Sequence, residues 1–170
     1  MLWLCNLSNL VLAIGIFFRL PLLIGISVLW LIPGIPLWLF DMYRTGYSPV
    51  TTFLSHLGGL VVGLFALSRV KVNKNLWIPA WIYGLIVQII CRLFTSPELN
   101  INVAFKIYGP LEKFFPNYWM YWIFNAVFAA IGLWLLSLIC NIFLTRAEAR
   151  GIPMPAKAGA SLKNETARNN

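Results

Sequence analysis

Six polar residues in an otherwise apolar chain carry the chemistry open to it: Asp41, His56, Arg92, Glu98, Asn100 and Asn102. A histidine with carboxylates in reach is the pattern of general acid/base catalysis, in which the imidazole moves a proton near neutral pH and a carboxylate orients it. His56, the single histidine, is therefore the candidate base, and Asp41 and Glu98 are the candidate orienting groups. Arg92, Asn100 and Asn102 are candidate binding groups, a fixed cation and two amides that both donate and accept. One nitrogen ligand with carboxylates is a poor metal set, so no metal and no cofactor is assigned. Cys5, Cys91 and Cys140 fall within apolar runs without metal spacing and read as small buried hydrophobes.

The elements that must position these residues are membrane helices. Val50–Leu67, 77–95 and 118–144 are apolar runs long enough to cross a hydrocarbon core of about 30 Å at ~1.5 Å per helical residue. A further apolar block, 2–40, is interrupted by Arg19 and a few prolines. Two spans, 2–18 and 20–40, joined by a tight turn at Arg19-Leu20-Pro21, keep Arg19 out of the hydrocarbon. One helix through Arg19 would cost about 2.5–3.5 kcal/mol on insertion scales. The expected fold is an all-α polytopic transmembrane helix bundle over 1–145 with about five spans, or four if the block holds one, and an outer interfacial segment. Composition agrees: 60% of the 170 residues are hydrophobic, 11% are charged and the mean hydropathy is +0.79, outside the range of a soluble domain. The net charge of +8 is spread over loops and a polar tail, as the positive-inside rule requires, and not gathered into a nucleic-acid-binding face. Residues 1–18 carry no positive charge and no small-residue cleavage site follows, so the N-terminus is expected to be retained. The glycosylation triplets at Asn6 and Asn164 are read as chance matches.

Loop charge sets the orientation. Arg69, Lys71 and Lys74 separate two spans with no acid among them, and Arg146 and Arg150 follow the last span, so both segments are expected in the cytoplasm. Segments 41–49 and 96–117 mix Asp41, Arg44, Glu98, Lys106, Glu112 and Lys113 to near neutrality and belong outside. Residues 146–170 form a polar cytoplasmic tail, disordered over 151–170. This makes a multi-pass inner-membrane protein.

Within the second span, Pro33-Gly34-Ile35-Pro36 predicts a kink or break. Gly59 and Gly63 predict close packing of the third. In the fourth, Gly84, Gln88 and Arg92 share an inward face, with Arg92 placed to pair with Asp41 or Glu98 or to snorkel to the headgroups. The 96–117 segment is expected to lie along the outer interface, entered through a capping box at Thr95-Ser96-Pro97-Glu98. Tyr118, Trp119, Tyr121 and Trp122 mark the outer aromatic belt, Trp77 and Trp81 the inner one. Asn125 and Asn141 are expected to bond to neighbouring helices. Threading brings His56, Asp41, Arg92, Glu98, Asn100 and Asn102 to one depth at the outer mouth.

Ser55-His56-Leu57-Gly58-Gly59 followed by Gly63 resembles the histidine-bearing helix of rhomboid intramembrane proteases, where the histidine is the general base. The serine nucleophile in its Gly-x-Ser-x-Gly context is missing: Ser27 and Ser48 each have a glycine two residues before and none two after. Protease activity is not carried over. Over about residues 30–143, Trp38 and Asp41, then His56, then Ser96-Pro97-Glu98-Leu99-Asn100-Ile101-Asn102 and the Gly109-Pro110 turn resemble a family of small bacterial multi-pass membrane proteins. That resemblance implies the architecture and no chemistry. The expected function is an outer-side site around His56 and Asp41 acting on a lipid-linked or membrane-embedded substrate. The competing classes are a non-catalytic subunit with a membrane-protein partner and a small carrier. Beyond the lipid bilayer no partner follows from the residues, and nucleic acid is excluded.

Overall fold

A computed structural model describes residues 4–46, 50–71 and 73–149, apart from the side chains of Thr45 and 143–149. The tail 151–170, together with Ser48 and Arg150, lies outside the described residues. The chain is all-helical: α1 (Leu4–Phe17), α2 (Pro21–Thr45), α3 (Val50–Leu67), α4 (Trp77–Phe94) and α5 (Tyr118–Ala149), with short 3-10 turns at Ile101–Val103 and Gly109–Phe114 between α4 and α5. No strand occurs among the described residues. α2, α3, α4 and α5 are long and apolar enough to cross a membrane, whereas the 14 residues of α1 reach about 21 Å, short of a full span.

α1 and α2 form an antiparallel hairpin whose turn falls where Arg19 predicts it. Arg19 adopts a left-handed conformation (φ 54°) and Pro21 opens α2, where its missing N–H costs nothing. Gly15 packs on the Ile24 backbone and Gly34 on Cys5, so the hairpin closes along the length of α1. α2 then runs unbroken through Pro33 and Pro36 to Gly46, whose αL conformation caps it. The expected break is absent.

α2 is the helix around which the others assemble, buried over 24–29 and at Leu31 and more enclosed than the other long helices. Leu12 of α1, Ile24, Val28 and Leu31 of α2 and Leu67 of α3 form one core cluster. Ile26 and Leu29 on the opposite side of α2 meet Leu76, Ala80 of α4 and Leu133 of α5 in a second. Lipid gives helices no hydrophobic reason to associate, so small residues and polar bonds must hold them. Gly63 lets Val28 approach to where a Cβ would stand 2.9 Å away, and Gly84 receives the Trp30 ring. Indole N–H groups supply the rest: Trp30 Nε1 donates to the Ala80 carbonyl (2.7 Å), Trp81 Nε1 to that of Ala126 (2.9 Å) and Trp122 Nε1 to Gln88 Oε1 (3.0 Å). These bonds tie α2 to α4 and α4 to α5. Trp81, expected in the inner aromatic belt, is thus also a helix-to-helix strap. Asn141 Nδ2 donates to the Ser137 carbonyl of its own helix (2.8 Å).

The 96–117 segment does not stay at the surface. The Asn102 carbonyl accepts from Gln88 Nε2 (3.1 Å), six residues before the end of α4 and so about 9 Å below it. Ile101 and Ala104 are buried against Val87 and Cys91, with Leu4 and Leu7 of α1 alongside. The segment therefore dips between α1 and α4 and climbs back to Tyr108, which meets Arg44 near the end of α2 (3.1 Å). Non-helical backbone at such depth is tolerated only where protein satisfies its polar groups. The capping box is not formed: Thr95 Oγ1 donates back to the Cys91 carbonyl (2.6 Å), and the Glu98 N–H reaches Ser96 Oγ (3.4 Å).

Candidate functional site

The expected polar residues do not share one hydrogen-bonded cluster; they fall into two groups, with α1 reaching both. The first is built on α3. Between Val50–Phe53 and Gly59–Leu67 the helix widens into a π-turn, Leu54–Gly58, and this turn carries His56. Such bulges shift one carbonyl out of its regular ladder position and recur at functional sites. The Thr52 carbonyl accepts from Ser55 Oγ (2.9 Å) and from His56 Nδ1 (2.8 Å), while the Ser55 carbonyl accepts from Asn9 Nδ2 of α1 (3.0 Å). Gly59 belongs to the same arrangement, since the Asn9 amide occupies the space a Cβ there would need.

A carbonyl only accepts, so the contact with Thr52 assigns a proton to Nδ1, and the tautomer this selects carries its lone pair on Nε2. Ser55 Oγ is 3.3 Å from the same Nδ1 and cannot lose its proton to it, which rules out a Ser55–His56 nucleophile pair. The ring is 6% exposed and stacks on Trp38 of α2, centroids 5.0 Å apart and planes 12° from parallel. Phe53 packs on the same indole edge-on at 5.8 Å. His56 is thereby fixed in position, tautomer and plane. Nε2 has no hydrogen-bond partner among the described residues, yet it is not one of the polar atoms sealed inside protein. Asp41 follows Trp38 by three residues on α2 and is exposed.

The second group is built on the dipping segment. Asn100 and Asn102 adopt left-handed conformations (φ 40° and 53°), and Val103 follows at 55°, a costly backbone for a β-branched residue. Each asparagine serves the loop around it. Asn100 Oδ1 accepts the N–H groups of Phe105 (3.0 Å) and Lys106 (2.9 Å), and its Nδ2 donates to the Lys106 carbonyl (3.2 Å). Asn102 Oδ1 accepts the Leu4 N–H at the start of α1 (2.8 Å), and Nδ2 donates to Cys91 Sγ (3.2 Å). These amides therefore build the loop. Glu98 is exposed and takes the Ser96 hydroxyl on Oε2 (3.3 Å), at no distance that lets it orient His56 through a hydrogen bond.

Of the two expectations for Arg92, the ion pair is not formed among the described residues. Nη1 donates to the Ala104 carbonyl (3.0 Å), and the guanidinium lies 4.9 Å from the Trp119 ring, 5.0 Å from Tyr118 and 5.7 Å from Phe105. A carbonyl and three rings replace the ion pair with Asp41 or Glu98. Tyr118 Oη shares the Ala104 carbonyl (2.6 Å), so the start of α5, the loop and α4 meet there.

Sequence reasoning missed Asn9, Trp38 as the stacking partner, and Thr52. Asn9 was detectable as a polar residue in a short apolar helix, which must find a partner on whichever helix it faces. Among the described residues no group of three metal-binding side chains comes together. In comparison with known proteins, no protein family, no curated protein and no solved structure matches this chain.

Proposed function

We propose that the chain is a multi-pass protein of a bacterial inner membrane, with its C-terminus in the cytoplasm and the 96–117 segment outside, and that its functional centre is His56. Nε2 acts as hydrogen-bond acceptor or general base toward a lipid-linked or membrane-embedded substrate, with Asp41 at the mouth of the same helix pair. One observation carries this reading: a buried imidazole held by the Thr52 carbonyl and the Trp38 face while Nε2 has no partner among the described residues. A histidine kept only to join helices would spend both nitrogens on protein, because an unpaired polar atom in hydrocarbon is costly. With Ser55 unable to serve as nucleophile, the proton taken by Nε2 comes from a substrate hydroxyl or from water.

The test is a photo-crosslinker, p-benzoylphenylalanine, placed at Phe53 in cells, with the same probe at the lipid-facing Phe128 as reference. An organic-extractable adduct formed at Phe53, absent at Phe128 and lost in His56→Ala, supports a lipid-linked substrate. Adducts with a protein alone support an assembly subunit with a membrane-protein partner. A His56→Ala protein that loses thermal stability in detergent with the cellular phenotype unchanged overturns the functional role of His56.

A further inference from the structure

A permanently charged guanidinium stands near the end of α4 without a counter-charge among the described residues. Arg92 is two residues from the end of the helix and exposed, and among the described residues no carboxylate reaches it. Its surroundings orient it without neutralising it. The Trp119, Tyr118 and Phe105 rings at 4.9, 5.0 and 5.7 Å fix the guanidinium by cation–π contact, with the Tyr118 hydroxyl also within its hydrogen-bonding reach. The Ala104 carbonyl takes one N–H of five. The remaining donors form a planar fork, the geometry that matches two oxygens of a phosphate.

The level of this fork in the membrane identifies the anion. Leu93 and Phe94, the next two residues, are 71% and 77% exposed, as side chains facing acyl tails are. The loop residues Lys106 and Glu98 are exposed and charged, and such side chains belong in water. Arg92 therefore sits where acyl chain gives way to headgroup, and the anion at that boundary is the lipid phosphodiester. We propose that Arg92, framed by Trp119, Tyr118 and Phe105, binds the phosphate of a phospholipid in the leaflet on the 96–117 side. Leu93 and Phe94 contact its acyl chains. The assignment depends neither on His56 nor on which face of the membrane is outside.

The full chain, purified and delipidated in detergent, is titrated with dioleoyl-phosphatidylglycerol, with dioleoylglycerol lacking the phosphate, and with inorganic phosphate. Thermal unfolding and native mass spectrometry of retained lipid are the readouts. Phosphatidylglycerol is expected to raise the unfolding temperature and stay bound, and dioleoylglycerol at equal concentration to do neither. Arg92→Gln weakens retention roughly tenfold or more, the loss of charge-assisted hydrogen bonds. Arg92→Lys, which keeps charge and fold but not the fork, falls between, and Lys113→Gln matches the wild type. Equal retention in Arg92→Lys and wild type, or an equal effect of dioleoylglycerol, overturns the proposal. Inorganic phosphate reproducing the full shift overturns the lipid as the source of the phosphate.

Discussion

Asn102→Ala tests whether the dipping loop holds the bundle together through one amide. Two costs add. Asn102 sits at φ 53°, where an alanine Cβ crowds the backbone at a cost of about 1–2 kcal/mol that asparagine partly escapes through local hydrogen bonding. The substitution also orphans the Leu4 N–H, which Oδ1 now accepts at 2.8 Å. Hydrogen bonds in membrane proteins measure about 0.6–1.7 kcal/mol, so the total is about 2–4 kcal/mol. A double-mutant cycle separates the terms. Leu4→Pro deletes the donor at a helix start where proline fits, so Asn102→Ala in that background should retain the backbone cost and the loss of the Cys91 Sγ contact but not the Leu4 bond. The coupling is then about 0.6–1.7 kcal/mol. Unfolding in mixed micelles, followed by the fluorescence of the eight tryptophans, measures all four proteins. The same loss with and without Leu4→Pro would refute the bond between loop and α1, and a single-mutant loss below ~0.5 kcal/mol would refute the structural role of Asn102 altogether.

Gly59→Ala should destabilise the bundle and free α1, because its Cβ collides with the Asn9 amide, whereas Gly58→Ala, with nothing within 4 Å, should be neutral in the same unfolding assay. Gly84→Ala should cost more than Trp30→Phe. The first forces the Trp30 ring out of its seat, while the second loses one hydrogen bond of about 1 kcal/mol and leaves no orphan donor; a larger loss in Trp30→Phe would reverse that assignment. For orientation, Gly46→Cys and Gly109→Cys should react with an impermeant thiol reagent in intact cells and Lys74→Cys should not. Labelling at Lys74→Cys alone would invert the topology.

The bundle was legible in the sequence because hydrocarbon imposes a length and a composition on each helix that no neighbour can alter. The bounds of α3, α4 and the start of α5 follow from apolar run length, and the turn at Arg19 from the cost of burying its charge. The glycines at positions 59, 63 and 84 announce close approach, since in lipid small residues are what let backbones meet. What the sequence could not decide is where each polar residue spends its hydrogen bonds. Asn100 and Asn102 read as a ligand site because amides are expensive in a membrane, but the expense is met by a backbone that leaves helical geometry and descends beside α4. Arg92 read as half of an ion pair, and the aromatic residues that hold it lie 12 or more positions away on the loop and α5. The prolines at 33 and 36 predicted a kink or break from local sterics, and of these the break does not occur: α2 stays continuous within the shell of α1, α3, α4 and α5. Depth is a one-dimensional property that composition and charge encode along the chain. Pairing between groups at the same depth depends on which helix faces meet, and only the tertiary packing sets that.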